Sequence, residues 1–236
     1  MVYKTLLLLH VCCAVVGLLA GFLSMMFRKG SGLHRVAGTI FFAAMLGMAG
    51  AGVFIAAFLK PNNGNVMGGS LLTYLVTTGW IAGQRREQQV GMVDFGALLV
   101  AMAIAAAGAT WGFQATSSHS GLKDGYSAPL YFIFALIAAL FAVADIRVIR
   151  LGGVFGTQRI ARHAWRMSLG LVFALLSFYP GQGRLFSKAL DQSNLLYVPH
   201  VLVIGVTIFW MARLSRRRRS RRTEALPYQP SLELAR

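Results

Sequence analysis

The sequence has few charged residues and almost no cysteine. Only 13% of its 236 residues are Asp, Glu, Lys or Arg, whereas soluble domains carry about 25%. Its two cysteines, Cys12 and Cys13, are adjacent. Adjacent residues of a helix point to different sides, so this pair supplies neither a disulfide framework nor a metal-binding motif. A soluble domain, or one held together by disulfides, is therefore excluded.

Apolar blocks fill most of the chain, which is 56% hydrophobic and has a mean hydropathy of +0.62. Blocks of roughly 20 apolar residues have the length that spans a bilayer as helix. The sequence therefore predicts an all-α integral membrane bundle. We expect about seven transmembrane helices, at Thr5–Phe27, Val36–Leu59, Gly69–Gly83, Val90–Phe113, Ala128–Val148, Ala164–Tyr179 and Leu195–Leu214.

The basic residues indicate which ends of these spans face the cytoplasm. Lys and Arg outnumber Asp and Glu by 23 to 7. They flank the apolar blocks instead of forming a basic soluble domain, which argues against nucleic-acid binding. An N-terminus outside places most of them on one side, so the positive-inside rule predicts an N-out, C-in orientation.

The chain divides into a membrane domain, 1–214, and an Arg-rich cytoplasmic tail, 215–236. The tail opens with a dense basic run, Arg216–Arg219 with Arg221 and Arg222. Such a run attracts anionic lipid by about 1 kcal/mol per residue near the surface. The polar composition of the tail predicts disorder. The expected partners are the lipid bilayer and its anionic lipids.

Four histidines lie at or near the ends of apolar segments: His10, His34, His163 and His200. Ionisable side chains are costly in membrane helices, so they face the bundle interior by default and indicate function. The predicted orientation places His10 and His200 near the outer face. It places His34 and His163 at the cytoplasmic face, where each is expected to begin its helix. The sequence thus predicts one candidate pair in each leaflet.

One hypothesis is a redox protein that binds haem b between the two inner histidines. A second haem on His10 and His200 would complete an electron path across the membrane. Imidazoles from two helices would bind the iron, small residues would make room for the macrocycle, and arginines would pair with its propionates. The residues that suit these roles beside His34 and His163 are Arg35, Gly38, Arg162, Arg166 and Gly170.

Other interpretations stay open. Asp94 or Asp145 could join the inner histidines in a zinc site, although Asp145 is also expected to pair with Arg147, Arg162 or Arg166 as an interfacial salt bridge. Proton-coupled transport would use histidines at both faces. A structural membrane component without catalysis is the third alternative.

The third and sixth spans are short and carry hydroxyls, so we expect them inside the bundle. These hydroxyls either line a cavity or bond back to helix carbonyls. They are Thr73, Tyr74, Thr77 and Thr78 in the third span, and Ser168 and Ser177 in the sixth.

Two motifs resemble those of the bacterial membrane family catalogued as domain of unknown function 2306. They are Arg28-Lys29-Gly30-x-x-x-His34-Arg35-x-x-Gly38, with Phe41-Phe42 and Met45 after it, and Arg162-His163-x-x-Arg166-Met167, with Ser177-Phe178 and Gly181-Gln182 after it. Relatives often have glycine four residues after the first histidine, where this chain has Ala14. The resemblance implies a helical protein of the bacterial inner membrane and supports the choice of His10, His34 and His163. It implies no activity.

Overall fold

The structure, a computed structural model, describes residues 1–85, 89–154, 156–181 and 197–224, without side chains at 179–181 and 217–224. The described residues are nearly all helical, which confirms the predicted all-α bundle. Their seven α-helices are α1 (Val2–Met26), α2 (Gly32–Phe54), α3 (Asn63–Gln84), α4 (Met92–Thr116), α5 (Ala128–Arg150), α6 (Gly156–Gly181) and α7 (Val198–Glu224). A π-helix, Ile55–Leu59, continues α2.

Five of these helices are long and apolar enough to cross a membrane: α1, α2 with its π-helical extension, α4, α5 and α7. Each exposes large apolar side chains that would face water in a soluble protein. Examples that are 60% exposed or more are Leu8, Val36, Leu99, Val143 and Val201. A surface of this kind fits lipid tails, so the fold is that of a multi-pass membrane protein.

The other two helices, α3 and α6, form much of the bundle interior. Nine of the 22 residues of α3 are buried, a larger share than in α1, α2, α4 or α5. α3 packs against α6 as well as α2 and α4. The two helices predicted to be least suited to lipid therefore contact each other, and this interior placement agrees with the prediction for the third and sixth spans.

α3 begins at Asn63, earlier than the predicted Gly69, because polar residues complete its first turn. The side chain of Asn62 accepts a hydrogen bond from the backbone N–H of Asn65 at 2.9 Å. This N-cap satisfies a backbone donor that the first turn leaves without a helical partner. A search for apolar residues alone does not detect such a start.

α6 also begins earlier than predicted, at Gly156 and not at Ala164. Its first two turns carry Arg159 and Arg162, which are partly buried against neighbouring helices. His163 therefore lies two turns inside α6, and the expectation that it begins its helix is wrong. His34 does lie in the first turn of α2, where its backbone N–H bonds to the side chain of Ser31.

The connections alternate between the two ends of the bundle. The α1–α2, α3–α4 and α5–α6 connections lie at one end, which we call the Arg-rich end and which the charge pattern predicts to be cytoplasmic. The opposite end carries a two-stranded hairpin, β1 (Leu122–Lys123) and β2 (Tyr126–Ser127). Asp124 at its turn accepts a hydrogen bond from the backbone N–H of Asn63 at 2.9 Å and so ties the hairpin to α3.

α7 continues past Ser215 to Glu224, so the helix extends into the predicted tail. Residues 225–236 and the beginning of the last predicted span at Leu195 lie outside the described residues.

Candidate functional site

A charged cluster lies inside the bundle, where α3, α5 and α6 meet. Oδ1 of Asp145 on α5 accepts hydrogen bonds from Nη2 of Arg162 at 2.7 Å and from Nη2 of Arg166 at 2.6 Å. Its Oδ2 accepts one from the hydroxyl of Tyr74 at 2.6 Å. We call these four residues the Asp145 cluster. They confirm the predicted salt bridge of Asp145, with two of its three expected partners.

The cluster is excluded from water. The side chains of Asp145 and Arg166 are each 1% exposed, and that of Arg162 is 10% exposed. Transferring an ion into a low-dielectric interior costs several kcal/mol unless charges and hydrogen bonds compensate. Here one carboxylate faces two guanidinium groups, so the cluster carries an excess positive charge in its interior.

Aromatic rings offset part of this excess charge. The guanidinium carbon of Arg166 lies 5.2 Å from the ring centres of both Tyr74 and Trp165, within range of a cation–π interaction. Phe141 packs on the same two rings. In the described part of the chain, Nε and Nη1 of Arg166 are buried without a hydrogen-bond partner. A buried donor without a partner carries a desolvation penalty, so the interior retains capacity to bind an acceptor.

Sequence spacing on α6 explains how the two arginines reach one carboxylate. Arg162 and Arg166 are four residues apart, so they project from the same face of the helix. Asp145 lies a turn before the end of α5, at the same level of the bundle. Contact between the rings of Phe141 on α5 and Trp165 on α6 holds the two helices together at this level.

A cleft opens beside the cluster at the Arg-rich end. Its walls come from α3, α4, α5 and α6, and Arg162 belongs both to the cleft and to the Asp145 cluster. Asp94 in the first turn of α4 pairs with Arg85 and also accepts the backbone N–H of Gly91 at 2.9 Å. Arg159 donates to the backbone carbonyl of Arg85. These bonds fix the polar rim of the cleft.

The hydroxyls of α3 were predicted either to line a cavity or to bond back to helix carbonyls, and the structure shows both. Thr73 and Thr78 bond back to the carbonyls four residues earlier, at 2.9 and 2.6 Å. Thr78 also lines the cleft, and Tyr74 donates to Asp145.

His163 occupies a niche on α3. Its Nδ1 lies 2.9 Å from the carbonyl oxygen of Gly79, one turn before Gly83. A Cβ atom on Gly83 would lie 2.8 Å from Nδ1, so glycine is what lets the ring approach the helix backbone.

His10 occupies the same kind of niche on α2. Its Nδ1 lies 2.7 Å from the carbonyl oxygen of Met48, and a Cβ atom on Gly52, four residues later, would lie 3.0 Å from the ring. His200, its predicted partner, is buried in the first turn of α7 with its ring 6.0 Å from that of Tyr197.

His34 bonds to α1. Its Nδ1 lies 2.9 Å from the carbonyl oxygen of Ser24, and the ammonium group of Lys29 donates to the same oxygen at 3.0 Å. The Lys29 ammonium also donates to the carbonyl of Met25 at 2.9 Å. Both side chains therefore satisfy carbonyls in the last turn of α1.

The other residues proposed for haem lie in different surroundings. Arg35 is exposed, whereas Arg162 and Arg166 bind Asp145. A Cβ atom on Gly170 would lie 2.9 Å from Cγ1 of Val76, whereas one on Gly38 would have no atom within 4 Å. Space is thus open beside Gly38 and filled beside Gly170.

The aspartates considered for a zinc site are held by arginine. Asp94 pairs with Arg85, and Asp145 with two arginines of α6. The described residues contain no group of three or more His, Cys, Asp and Glu side chains placed to hold a metal ion.

Sequence reasoning did not identify Arg85 and Arg159 as site residues, and it noted Tyr74 only for its hydroxyl. A signal was available for Tyr74, because a phenol in a membrane helix needs a partner for its O–H. Arg159 was missed because the sixth span was predicted to begin at Ala164, whereas α6 begins at Gly156.

Comparisons with known protein families, curated proteins and solved structures found no match. The resemblance to domain of unknown function 2306 therefore stays a prediction from the two motifs.

Proposed function

We propose that this chain is a transporter-like membrane protein in which the Asp145 cluster handles a small anionic solute. The observation that carries the proposal is the complete burial of Arg166, with two of its nitrogens lacking a partner within the described residues. Ionisable residues inside a membrane bundle are costly and typically serve substrate or ion pathways.

The charge of the cluster favours an anion. Asp145 neutralises one of its two arginines, so a second negative group would complete the pairing. The unpartnered nitrogens of Arg166 are donors only, since a guanidinium has no acceptor. A carboxylate or another oxyanion supplies the acceptors that they lack.

Proton coupling would fall to a histidine. Asp145 already accepts hydrogen bonds from Tyr74, Arg162 and Arg166. His163 follows Arg162 directly on α6, and imidazole is the side chain that ordinarily changes charge near neutral pH. Burial lowers the pKa of His163, so its imidazole is neutral at rest, and protonation would add positive charge beside the cluster.

Reconstituted protein tests transport. Proteoliposomes with a trapped pH indicator would receive gradients of inorganic phosphate, acetate or succinate. We expect an anion-dependent pH change above that of empty liposomes, reduced at least tenfold in Arg162→Gln. The matched control is Arg150→Gln, which removes one exposed charge from the end of α5. Fluxes equal to those of empty liposomes with all three anions would contradict the proposal, as would full flux in Arg162→Gln.

Haem binding is a second candidate, supported by the orientation of the inner histidines. His34 and His163 both direct Nδ1 at a backbone carbonyl, which leaves Nε2 as the nitrogen with the available lone pair. Histidines that bind metals usually have this second-shell hydrogen bond. Bound haem would supply electron transfer, held by these two histidines, with Arg35 as the propionate partner not committed to Asp145.

A visible spectrum tests this candidate. Protein produced with added haem should show a Soret band and, after reduction, an α-band. Both should weaken in His34→Ala and His163→Ala and remain in His119→Ala, which changes a loop histidine. An absorbance spectrum without these bands would eliminate haem.

The bacterial inner membrane is the proposed location, and anionic lipid the proposed partner of the basic run at the end of α7. Binding to vesicles with and without phosphatidylglycerol tests the lipid contact. Equal binding to both would count against it.

A further inference from the structure

The cleft at the Arg-rich end contains an unusual concentration of guanidinium groups. Its described lining includes three arginines and one carboxylate, that of Asp94. The arginines are Arg85, Arg159 and Arg162. They come from the end of α3 and the first two turns of α6, so three separate backbone positions bring like charges together.

The existing hydrogen bonds use only part of this donor capacity. Arg85 and Arg159 each bond through Nη1, and Arg162 through Nη2, in the contacts among the described residues. A guanidinium offers five N–H donors. Each arginine therefore has two further nitrogens to offer to an acceptor in the cleft.

Apolar side chains define the size of the group that fits. Ile81, Val93, Val148 and Val154 line the cleft between the polar residues. Its enclosed volume is only about 20 Å³, little more than one water molecule occupies, so a ligand would bind at the mouth of the cleft. These walls suit a compact group and leave no room for an extended polymer. The hydroxyl-bearing Thr78 completes the polar part of the lining.

We propose that this cleft binds a phosphate-class oxyanion, either free inorganic phosphate or the headgroup of an anionic lipid. Guanidinium groups match phosphate oxygens in geometry and charge. An anion here would offset the excess positive charge of three arginines whose described carboxylate partners are Asp94 and Asp145, the latter shared with Arg166. This binding site adjoins the Asp145 cluster and shares Arg162 with it, but its binding does not require transport.

Arg162 connects the two sites. Its Nη2 holds Asp145 at 2.7 Å while its side chain lines the cleft. An oxyanion in the cleft would compete with Asp145 for this arginine. Occupancy of the cleft would thereby alter the charge balance around Arg166.

Equilibrium binding tests the proposal without any transport assay. Purified protein in neutral detergent would be titrated with inorganic phosphate, and its melting temperature followed at constant ionic strength with chloride as the reference salt. A ligand that binds only the folded state raises this temperature in a saturable way. A second arm would compare nanodiscs of phosphatidylcholine with and without phosphatidylglycerol.

Arg159→Gln is the test variant because Arg159 lies outside the Asp145 cluster, and Arg159→Lys keeps its charge. We expect at least tenfold weaker binding in Arg159→Gln, partial recovery in Arg159→Lys and wild-type binding in the matched control Arg150→Gln. A response to phosphate assigns the site to the free anion, and a response to phosphatidylglycerol alone assigns it to lipid. No response in either arm, or equal responses in Arg159→Gln and Arg150→Gln, would overturn the proposal. Because the melting curve measures binding and involves no transport step, a failure of the transport assay would leave this result unaffected.

Discussion

Asp145 and Asp94 are two aspartates paired with arginine at different depths of one bundle. The side chain of Asp145 is 1% exposed and accepts three hydrogen bonds from side chains of α3 and α6. The side chain of Asp94 is 11% exposed, and its partners are Arg85 and the backbone of its own N-terminal turn. The comparison teaches that depth, more than pairing itself, decides what the loss of a partner costs.

Asp145→Asn should produce the largest effect. It removes the negative charge and leaves two buried arginines facing each other, and breaking a buried ion pair costs about 3–5 kcal/mol. We expect the free energy of unfolding, measured by chemical unfolding in detergent, to decrease by about that amount. Asp124→Asn, at the exposed hairpin, is the control with the same chemical change.

A double variant separates charge from packing in that result. Asp145→Asn combined with Arg166→Met removes the carboxylate and one of its two guanidinium partners, which leaves Arg162 without a second buried cation facing it, so it should recover part of the lost stability. A double variant no more stable than Asp145→Asn would show that electrostatics does not account for the loss.

Tyr74→Phe should follow in size. The change removes the donor to Asp145 and the acceptor for Arg166, whereas the ring that stacks on the guanidinium remains. A buried polar group left without its partner costs about 1–3 kcal/mol. Thermal unfolding should show a clear decrease, whereas Tyr126→Phe, which loses an exposed hydroxyl contact to Asn65, should change little. Equal decreases in melting temperature in the two variants would contradict the idea that burial decides how much a lost hydrogen bond costs.

Apolar length and basic flanks were enough to predict the helices that face lipid, because a bilayer requires both. Helix starts within polar sequence were harder to predict. The start of α3 depends on the Asn62 cap, and that of α6 lies in a segment rich in arginine. The pairing of Asp145 was predicted from nearby charges, but its depth depends on how α5 packs against α6.

The surroundings of the histidines were beyond sequence reasoning. Every helix presents carbonyls, so the choice of Gly79 as the acceptor for His163 depends on the contact between α3 and α6. Small residues raise the same difficulty, because Gly38 borders open space and Gly170 borders Val76. A stripe of glycines does not indicate what fills the space beside it.

Gly83→Ala should lower the stability of the protein moderately, because Gly83 lies at the contact between α3 and α6. The new methyl group would lie 2.8 Å from Nδ1 of His163, and overpacking costs about 1–3 kcal/mol. The better helix propensity of alanine offsets about 1 kcal/mol of this. Gly68→Ala is the matched control in α3, because its methyl group would meet no atom within 4 Å. We expect melting temperatures to fall in Gly83→Ala and to hold or rise in Gly68→Ala; a reversed order would contradict the close α3–α6 contact.

Asp94→Asn should have the smallest effect and the strongest dependence on salt. Asparagine keeps an oxygen that can accept the Gly91 N–H and loses only the charge that pairs with Arg85. Asp94 is buried, but the side chain of its partner Arg85 is 22% exposed, so the pair should contribute little more than the about 0.2–1 kcal/mol of exposed ion pairs, and salt should screen it in part. The deficit of Asp94→Asn should therefore shrink between low and high salt, as followed by melting temperature, whereas that of Asp145→Asn should stay constant because its partners are shielded from solvent. If both deficits shrank equally, salt would reach the two aspartates alike, and the difference in depth would no longer explain their different roles.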